Sequence, residues 1–318
     1  MDIDRRSRPV PTAPEKTTVE PAEPTAETPA TPTTGTTRQG DRPRSRYLDL
    51  RHVRVHYVAA GEATAPPVVL LHGGGLDEAS LSWRHLTPGL ADSHYVLAPD
   101  LPGYGASGPA SDQPSLAYYA DVLAEFLDEL FLDRVSLVGI SMGGGVALQF
   151  ATDHPDQVEK LVLVDSYGLG TSVPGGRLGY WFTRAERLNR AIWWAFRHSE
   201  RLGRLSIRSM VVDPDPTLEA DAVAALRRPE VGADWRAFQR HEVTPNGLRT
   251  AFLDRLPTLD VPTLLVHGER DPVVPVDWAI RAHALLPDAE LFVLPGCGHM
   301  PPRERPAAFE DRVRAFLG

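Results

Sequence analysis

Ser141 lies in Gly139-Ile140-Ser141-Met142-Gly143, a G-x-S-x-G sequence that directly follows the apolar run Val135 to Val138 and precedes a helix-length segment. A sharp strand-to-helix turn of this kind holds a serine in a strained conformation with its hydroxyl exposed. Gly139 and Gly143 belong at such a turn because side chains there would collide with neighbouring backbone. A serine hydroxyl attacks poorly until a base removes its proton. His299, in Gly296-Cys297-Gly298-His299-Met300, falls in a loop after the last strand-like run and before the final helix, where it is free to act as that base. His72 and His267 each end a strand, which suits a backbone-bonded structural role, while His154 and His283 fall on helices and are expected to face solvent. The base needs an acid to hold its tautomer and stabilise the imidazolium. Asp271 follows the run Thr263 to Val266, and the chain order Ser, Asp, His favours it. Asp165, at the end of the preceding strand, is the alternative acid, and Asp100 is assigned to the turn Asp100-Leu101-Pro102-Gly103.

Acyl chemistry on a serine also needs donors for the oxyanion. His72-Gly73-Gly74-Gly75 follows the run Pro67 to Leu71, and glycines there let backbone N–H groups approach a substrate oxygen. Gly74 N–H and Met142 N–H, the latter immediately behind the nucleophile, would form the hole. Gly103-Tyr104-Gly105-Ala106-Ser107-Gly108 fits G-x-G-x-x-G, but a loop, Pro109 to Pro114, follows it where a dinucleotide site requires a helix. No metal-ligand spacing occurs, so neither a metal nor another cofactor is expected.

Short apolar runs bounded by turn residues position these side chains: Leu48 to Ala59 as a pair of half-buried strands, then Pro67 to Leu71, Tyr95 to Ala98, Val135 to Ile140, Leu161 to Val164, Thr263 to Val266 and Leu291 to Leu294. Helix-length segments such as Leu116 to Leu130 and Val146 to His154 lie between them. Continuous apolar strands alternating with helices describe a parallel sheet covered on both faces, an α/β fold. Residues 171–246 break the alternation and read as a helical insertion. Leu178, Trp181, Phe182, Ala185, Leu188, Ile192, Ala195 and Phe196 recur there at helical spacing, and most of this stripe is expected to pack on the core. Trp193 and Trp194 are adjacent and cannot face one way, so at least one meets another surface. Trp181, Trp193 and Trp194 are accordingly the candidate substrate-binding residues of a lid.

Residues 1–45 are rich in Pro, Thr and Glu and poor in large apolar side chains, which predicts a disordered tail ahead of a domain over 46–318. The 318-residue chain is 42% hydrophobic and 24% charged, as soluble globular proteins are, and its net charge of -9 argues against nucleic acid as a partner. It contains no apolar run of 18 residues, so no membrane partner is expected, and the single cysteine, Cys297, excludes an intramolecular disulfide. Arg5 and Arg6 are followed by Ser7-Arg8-Pro9 instead of an apolar stretch, which leaves a cytoplasmic location as the expectation. Oligomeric state is not legible.

Taken together, His72-Gly73-Gly74-Gly75, Asp100 to Gly105, the elbow around Ser141, Gly268 to Asp271 and Gly298-His299 closely resemble the α/β-hydrolase superfamily, over nearly all of Tyr47 to Gly318. The resemblance implies an eight-stranded, mostly parallel sheet flanked by helices, with a helical cap inserted after strand six. Within the superfamily, the His-Gly-Gly-Gly and Ser-Met-Gly-Gly segments look like those of meta-cleavage-product hydrolases, which cut carbon–carbon bonds. Those enzymes carry Asn before the serine and Trp after the histidine, where this sequence has Ile140 and Met300. Hydrolysis of a small hydrophobic ester is the reading with the fewest departures. Carbon–carbon hydrolysis, acyl transfer or perhydrolysis on the same triad, and a non-catalytic ligand-binding protein, are the alternatives.

Overall fold

The computed structural model describes residues 43–173, 176–228 and 230–318. Eight strands form one sheet: β1 (Arg44–Asp49), β2 (Arg54–Ala60), β3 (Pro67–Leu71), β4 (Tyr95–Pro99), β5 (Val135–Ile140), β6 (Val158–Val164), β7 (Thr263–Gly268) and β8 (Ala289–Leu294). Their spatial order is β1-β2-β4-β3-β5-β6-β7-β8, with β2 antiparallel to both β1 and β4 and every other pair parallel. The domain therefore opens at Arg44, two residues before the expected start, because Arg44 and Ser45 already pair with Ala59 and Val58. The rest of the proposed tail lies outside the described residues.

The central strands are largely apolar because both faces are covered. In β3, Val69 and Leu71 join the core on one face, while Val68 and Leu70 join the core on the other. The first face is packed by α1 (Leu116–Glu129) and α2 (Met142–Asp153). Ser115 caps α1 by accepting from Tyr118 N–H at 3.1 Å, and Leu116, Tyr119, Leu123, Phe126 and Leu127 form its buried stripe. Burial of each such side chain contributes about 1.5–3 kcal/mol.

The insertion between β6 and β7 contains α3 (Gly176–Arg184), α4 (Glu186–His198), α5 (Glu200–Arg208), α6 (Leu218–Leu226) and α7 (Ala233–Glu242). A two-residue ladder, Val243–Thr244 with Gly247–Leu248, follows it, and Leu248 N–H donates to Thr171 O at 2.9 Å across the neck. The apolar stripe expected to pack on the core does not do so along its first half: Leu178, Trp181, Phe182 and Leu188 are exposed. Ala185, at φ -76° and ψ 64°, breaks what the spacing suggested was one continuous helix and rotates α3 relative to α4. The chain closes with α8 (Val276–Leu285) and α9 (Pro306–Leu317), and Phe309 and Val313 of α9 pack on the second face of the sheet. Among the described residues, no helix is long and apolar enough to cross a membrane.

Candidate active site

Every residue singled out for chemistry sits beyond the carboxyl end of a parallel strand: His72 after β3, Ser141 after β5, Asp165 after β6, Asp271 after β7 and His299 after β8. Ser141 adopts φ 52° and ψ -117°, a conformation that costs a non-glycine residue about 1–3 kcal/mol. Neighbouring backbone enforces it. Ser141 N–H donates to Val164 O at 2.9 Å, and Ser141 O accepts from Tyr167 N–H at 3.0 Å and Gly145 N–H at 3.1 Å. The flanking glycines are sterically required, since a Cβ on Gly139 would lie 2.3 Å from Gly143 O and one on Gly143 would lie 2.2 Å from Leu71 O.

His299 Nδ1–H donates to Asp271 Oδ2 at 2.7 Å, and the Asp271 side chain is fully buried. Asp271 Oδ1 accepts from Val273 N–H at 2.7 Å and Val274 N–H at 3.1 Å, so the carboxylate is locked in place. With Nδ1 committed, Nε2 is the nitrogen left for the serine. Ser141 and His299 line one cavity, and no hydrogen bond joins them among the described residues; such contacts commonly tighten only when substrate binds. Asp165, the alternative acid, stands beside this pair without bonding the histidine. Asp165, Asp271 and His299 bring side-chain atoms within 4.8 Å of one another. Asp165 Oδ1 accepts from Gly268 N–H at 2.8 Å, and its buried Oδ2 has no partner. Burial, reinforced by the Asp271 charge, pushes this carboxyl well above the usual range. His267, kept neutral by burial, donates from Nε2 to Val274 O at 3.0 Å.

His72 builds the glycine loop. Its Nε2 accepts from Leu101 N–H at 2.9 Å, which leaves Nδ1–H to donate to Gly73 O at 2.7 Å. Asp77, unremarked in the sequence, anchors the same loop by accepting from Gly73 N–H and Ser82 Oγ–H, both at 2.6 Å. Gly74 N–H and Met142 N–H take no protein acceptor among the described residues. Asp100 accepts from Ala79 N–H at 2.9 Å and Ala106 N–H at 2.8 Å, a turn-supporting role. In the G-x-G-x-x-G segment Gly103 N–H donates to Gly108 O at 2.8 Å, closing a turn and not a helix.

The cavity is about 340 Å³, and Gly73, Gly74, Gly75, Ser141 and His299 form its floor. Of the three candidate tryptophans only Trp193 lines it. Trp181 and Trp194 are 63% and 62% exposed: Trp194 follows Trp193 on α4 and so points about 100° away, and α3 turns its apolar side to solvent. The second indole facing the site is instead Trp235 of α7, packed so closely that a Cβ on Gly74 would lie 2.3 Å from its ring. Phe196, Ile207, Met210, Val273 and Met300 complete the apolar wall. The i, i+3 pair Trp235 and Phe238, stacked with ring centroids 5.4 Å apart, was the available sequence signal for α7.

Two adjacent residues beyond His299 had no such signal. Glu304 accepts from Gly298 N–H and Met300 N–H, both at 3.0 Å, and also from cap residues Val212 at 2.7 Å and Asp213 at 3.2 Å. His299 N–H itself donates to Met210 O at 2.8 Å. Arg303 is wholly buried and joins core to cap: it donates to Leu81 O at 2.6 Å, Asp221 Oδ2 at 2.9 Å, Thr217 Oγ1 at 3.0 Å and the Asp215 carboxylate. Burial alone would raise the Asp215 pKa, but the bonds from Arg303 and Thr217 outweigh it and hold this carboxyl well below the usual range.

The chain as a whole has counterparts among known proteins. The alpha/beta hydrolase fold family matches residues 66–306. An uncharacterised protein of Mycobacterium tuberculosis is 32% identical over 273 residues, 80% of this chain and 76% of the relative. A 2-hydroxymuconate semialdehyde hydrolase of Pseudomonas sp. (strain CF600) is 31% identical over 260 residues, 79% of this chain and 86% of that enzyme. The solved structure of 2-hydroxy-6-oxo-6-phenylhexa-2,4-dienoate hydrolase from Rhodococcus sp. strain RHA1 superposes with a TM-score of 0.73 at 26% identity, over 87% of this chain and 99% of that one. With a family match over three quarters of its length, the chain belongs to the α/β-hydrolase family.

Proposed function

We propose that this protein is a cofactor-free serine hydrolase that cleaves a carboxylic ester of a small, uncharged, hydrophobic substrate through an acyl-enzyme on Ser141. The observation that carries this reading is the lining of the cavity. Its walls are mainly Trp193, Trp235, Phe196 and other apolar side chains, and among the described residues no lysine or arginine reaches it. Its one carboxylate, Asp77, is engaged with the glycine loop and Ser82.

In the reaction, Ser141 Oγ attacks the ester carbonyl while His299 Nε2 takes the hydroxyl proton. Asp271 holds the other ring proton and stabilises the imidazolium. The free N–H groups of Gly74 and Met142 receive the oxyanion. His299 then gives its proton to the departing alkoxide and, in the second half, takes one from the water that attacks the acyl-enzyme. Proton transfer back to Ser141 Oγ as the acid leaves completes the cycle.

Carbon–carbon hydrolysis is the second reading, favoured by kinship to hydrolases of a semialdehyde and a dienoate. A dienoate is a carboxylate, and taking it out of water requires a cationic partner or comparable donors. Among the described residues the lining offers no cation, which favours the neutral ester.

Intact-mass labelling with a fluorophosphonate, followed by a panel of neutral and anionic esters and a dienoate, tests the proposal. One adduct on wild type, none on Ser141→Ala, and turnover confined to neutral apolar esters are expected. Absence of labelling on folded wild type would overturn the enzyme reading and leave the binding-protein alternative. Faster cleavage of the dienoate would select the carbon–carbon reading.

A further inference from the structure

The cavity uses only one side of the cap helices. Trp193 and Phe196 of α4 and Ser206 and Ile207 of α5 face it, while Trp194, Leu202 and Leu205 of the same helices are exposed. Of eleven exposed large hydrophobic side chains among the described residues, seven fall between Leu178 and Leu205. Single exposed leucines are ordinary, but a concentration in three consecutive helices marks an interaction surface. Leu178 is 81% exposed and Leu205 61%.

Charge selects the partner. Residues 176–208 carry eight arginines and two glutamates, a surplus of six positive charges in a chain whose net charge is -9. Arg204 and Arg208 are satisfied by Glu200 and Glu219, whereas Arg177, Arg187 and Arg201 form no ion pair among the described residues. A second copy meeting this face across a two-fold axis would set like charge against like charge. Tryptophan and leucine on the exposed side of short helices, bordered by arginines, are instead the composition that lies in the plane of a lipid headgroup region.

We propose that the outward face of α3, α4 and α5 docks on an anionic lipid surface. Leu178, Trp181, Trp194 and Leu205 enter the acyl boundary, and Arg177, Arg187 and Arg201 meet phosphates. Attachment is in the plane of the membrane, as befits helices too short to span it. This departs from the expectation of no membrane partner, which rested on spanning segments alone. It does not depend on the chemistry assigned to Ser141.

Co-sedimentation of the full chain with vesicles tests the docking, using equal parts phosphatidylcholine and phosphatidylglycerol against phosphatidylcholine alone. The protein should pellet with the mixed vesicles, weakly or not at all with the neutral ones, and less as salt rises. Arg177→Glu/Arg187→Glu/Arg201→Glu should lower partitioning by about a hundredfold or more, on the usual contribution per basic residue at such a surface. Trp194→Asp/Leu205→Asp should abolish it, with circular dichroism and melting unchanged in both variants. Wild type remaining in the supernatant with anionic vesicles would overturn the proposal, as would pelleting insensitive to both variants. A dimer by light scattering that the Asp variant splits into monomers would assign the face to self-association instead.

Discussion

The loops on the sheet that carry the candidate site and the cap above them are held by different means. On the sheet, backbone packs against backbone. A Cβ on Gly139, Gly143 or Gly268 would lie 2.3, 2.2 or 1.9 Å from a carbonyl oxygen, so these positions admit only glycine without displacement. The cap has a few backbone links to the core, such as His299 N–H to Met210 O, but is joined to it largely through side chains, principally Arg303 and Glu304 reaching Asp215, Thr217, Asp221, Val212 and Asp213. Backbone contact restricts which residues can occupy a position and thus writes itself into the sequence. A buried charge network restricts only which distant partners meet, and leaves no local trace.

The largest effect expected is on the sheet side. Asp271→Asn should lower kcat about 10⁴-fold with little change in KM, because the histidine is left in the wrong tautomer while the loop geometry survives. Steady-state kinetics on the best ester would check it. A loss below tenfold would mean that Asp165 can take over, and that the acid is less firmly placed than its two backbone donors imply.

Next comes the bolt between the regions. Arg303→Met removes a wholly buried cation from Leu81 O and Asp215, while Asp221 keeps Arg84 and Asp215 keeps Thr217, and should cost about 3 kcal/mol. The melting temperature should fall by roughly 10 °C. If the contrast between regions holds, hydrogen exchange and limited proteolysis will open residues 209–228 first, while β3, β5 and β7 keep their protection. Uniform loss of protection would show that cap and sheet form a single cooperative unit.

Glu304→Gln tests the same network closer to the chemistry. Glutamine keeps the size but only one of the two acceptor oxygens, so the loop bearing His299 should loosen from Gly298 to Met300. A fall in kcat of about tenfold, with KM held, is expected for an orienting group one shell from the base. Removing a merely stabilising residue would lower the melting temperature and leave kcat alone.

What could be read from the sequence follows the same division. The strand–glycine–nucleophile segment, the loop after β3 and the loop carrying His299 were visible because turn chemistry and chain order constrain them. Helical spacing gives Trp181 and Trp194 a stripe without saying which side meets a partner, and an alanine gives no sign of the break at Ala185. Trp235 was missed for the converse reason: its role comes from contact with Gly74, 161 positions earlier in the chain. Nothing in the sequence beside Pro301 and Pro302 singles out Arg303 and Glu304, and only the fold shows them buried.

The smallest effect expected on turnover concerns Asp165, where the rigid region stores an unsatisfied group. Its carboxyl is pushed well above the usual range by burial and by Asp271, and faces the neutral His267 and the base His299. Between the ordinary aspartate pKa and the raised folded value, the native state therefore binds one more proton than the unfolded state. Stability must fall as pH rises through that window. Asp165→Asn mimics the protonated acid, keeps the carbonyl that accepts from Gly268 N–H, and cannot ionise. Its activity at neutral pH should match wild type, while its melting temperature should equal wild type in acid and exceed it by a growing margin toward alkaline pH. Melting curves across that range decide the matter. Parallel curves would mean that Asp165 is ionised in the native protein, and the pairing of His299 with Asp271 would then have to tolerate a second negative charge within 4.8 Å.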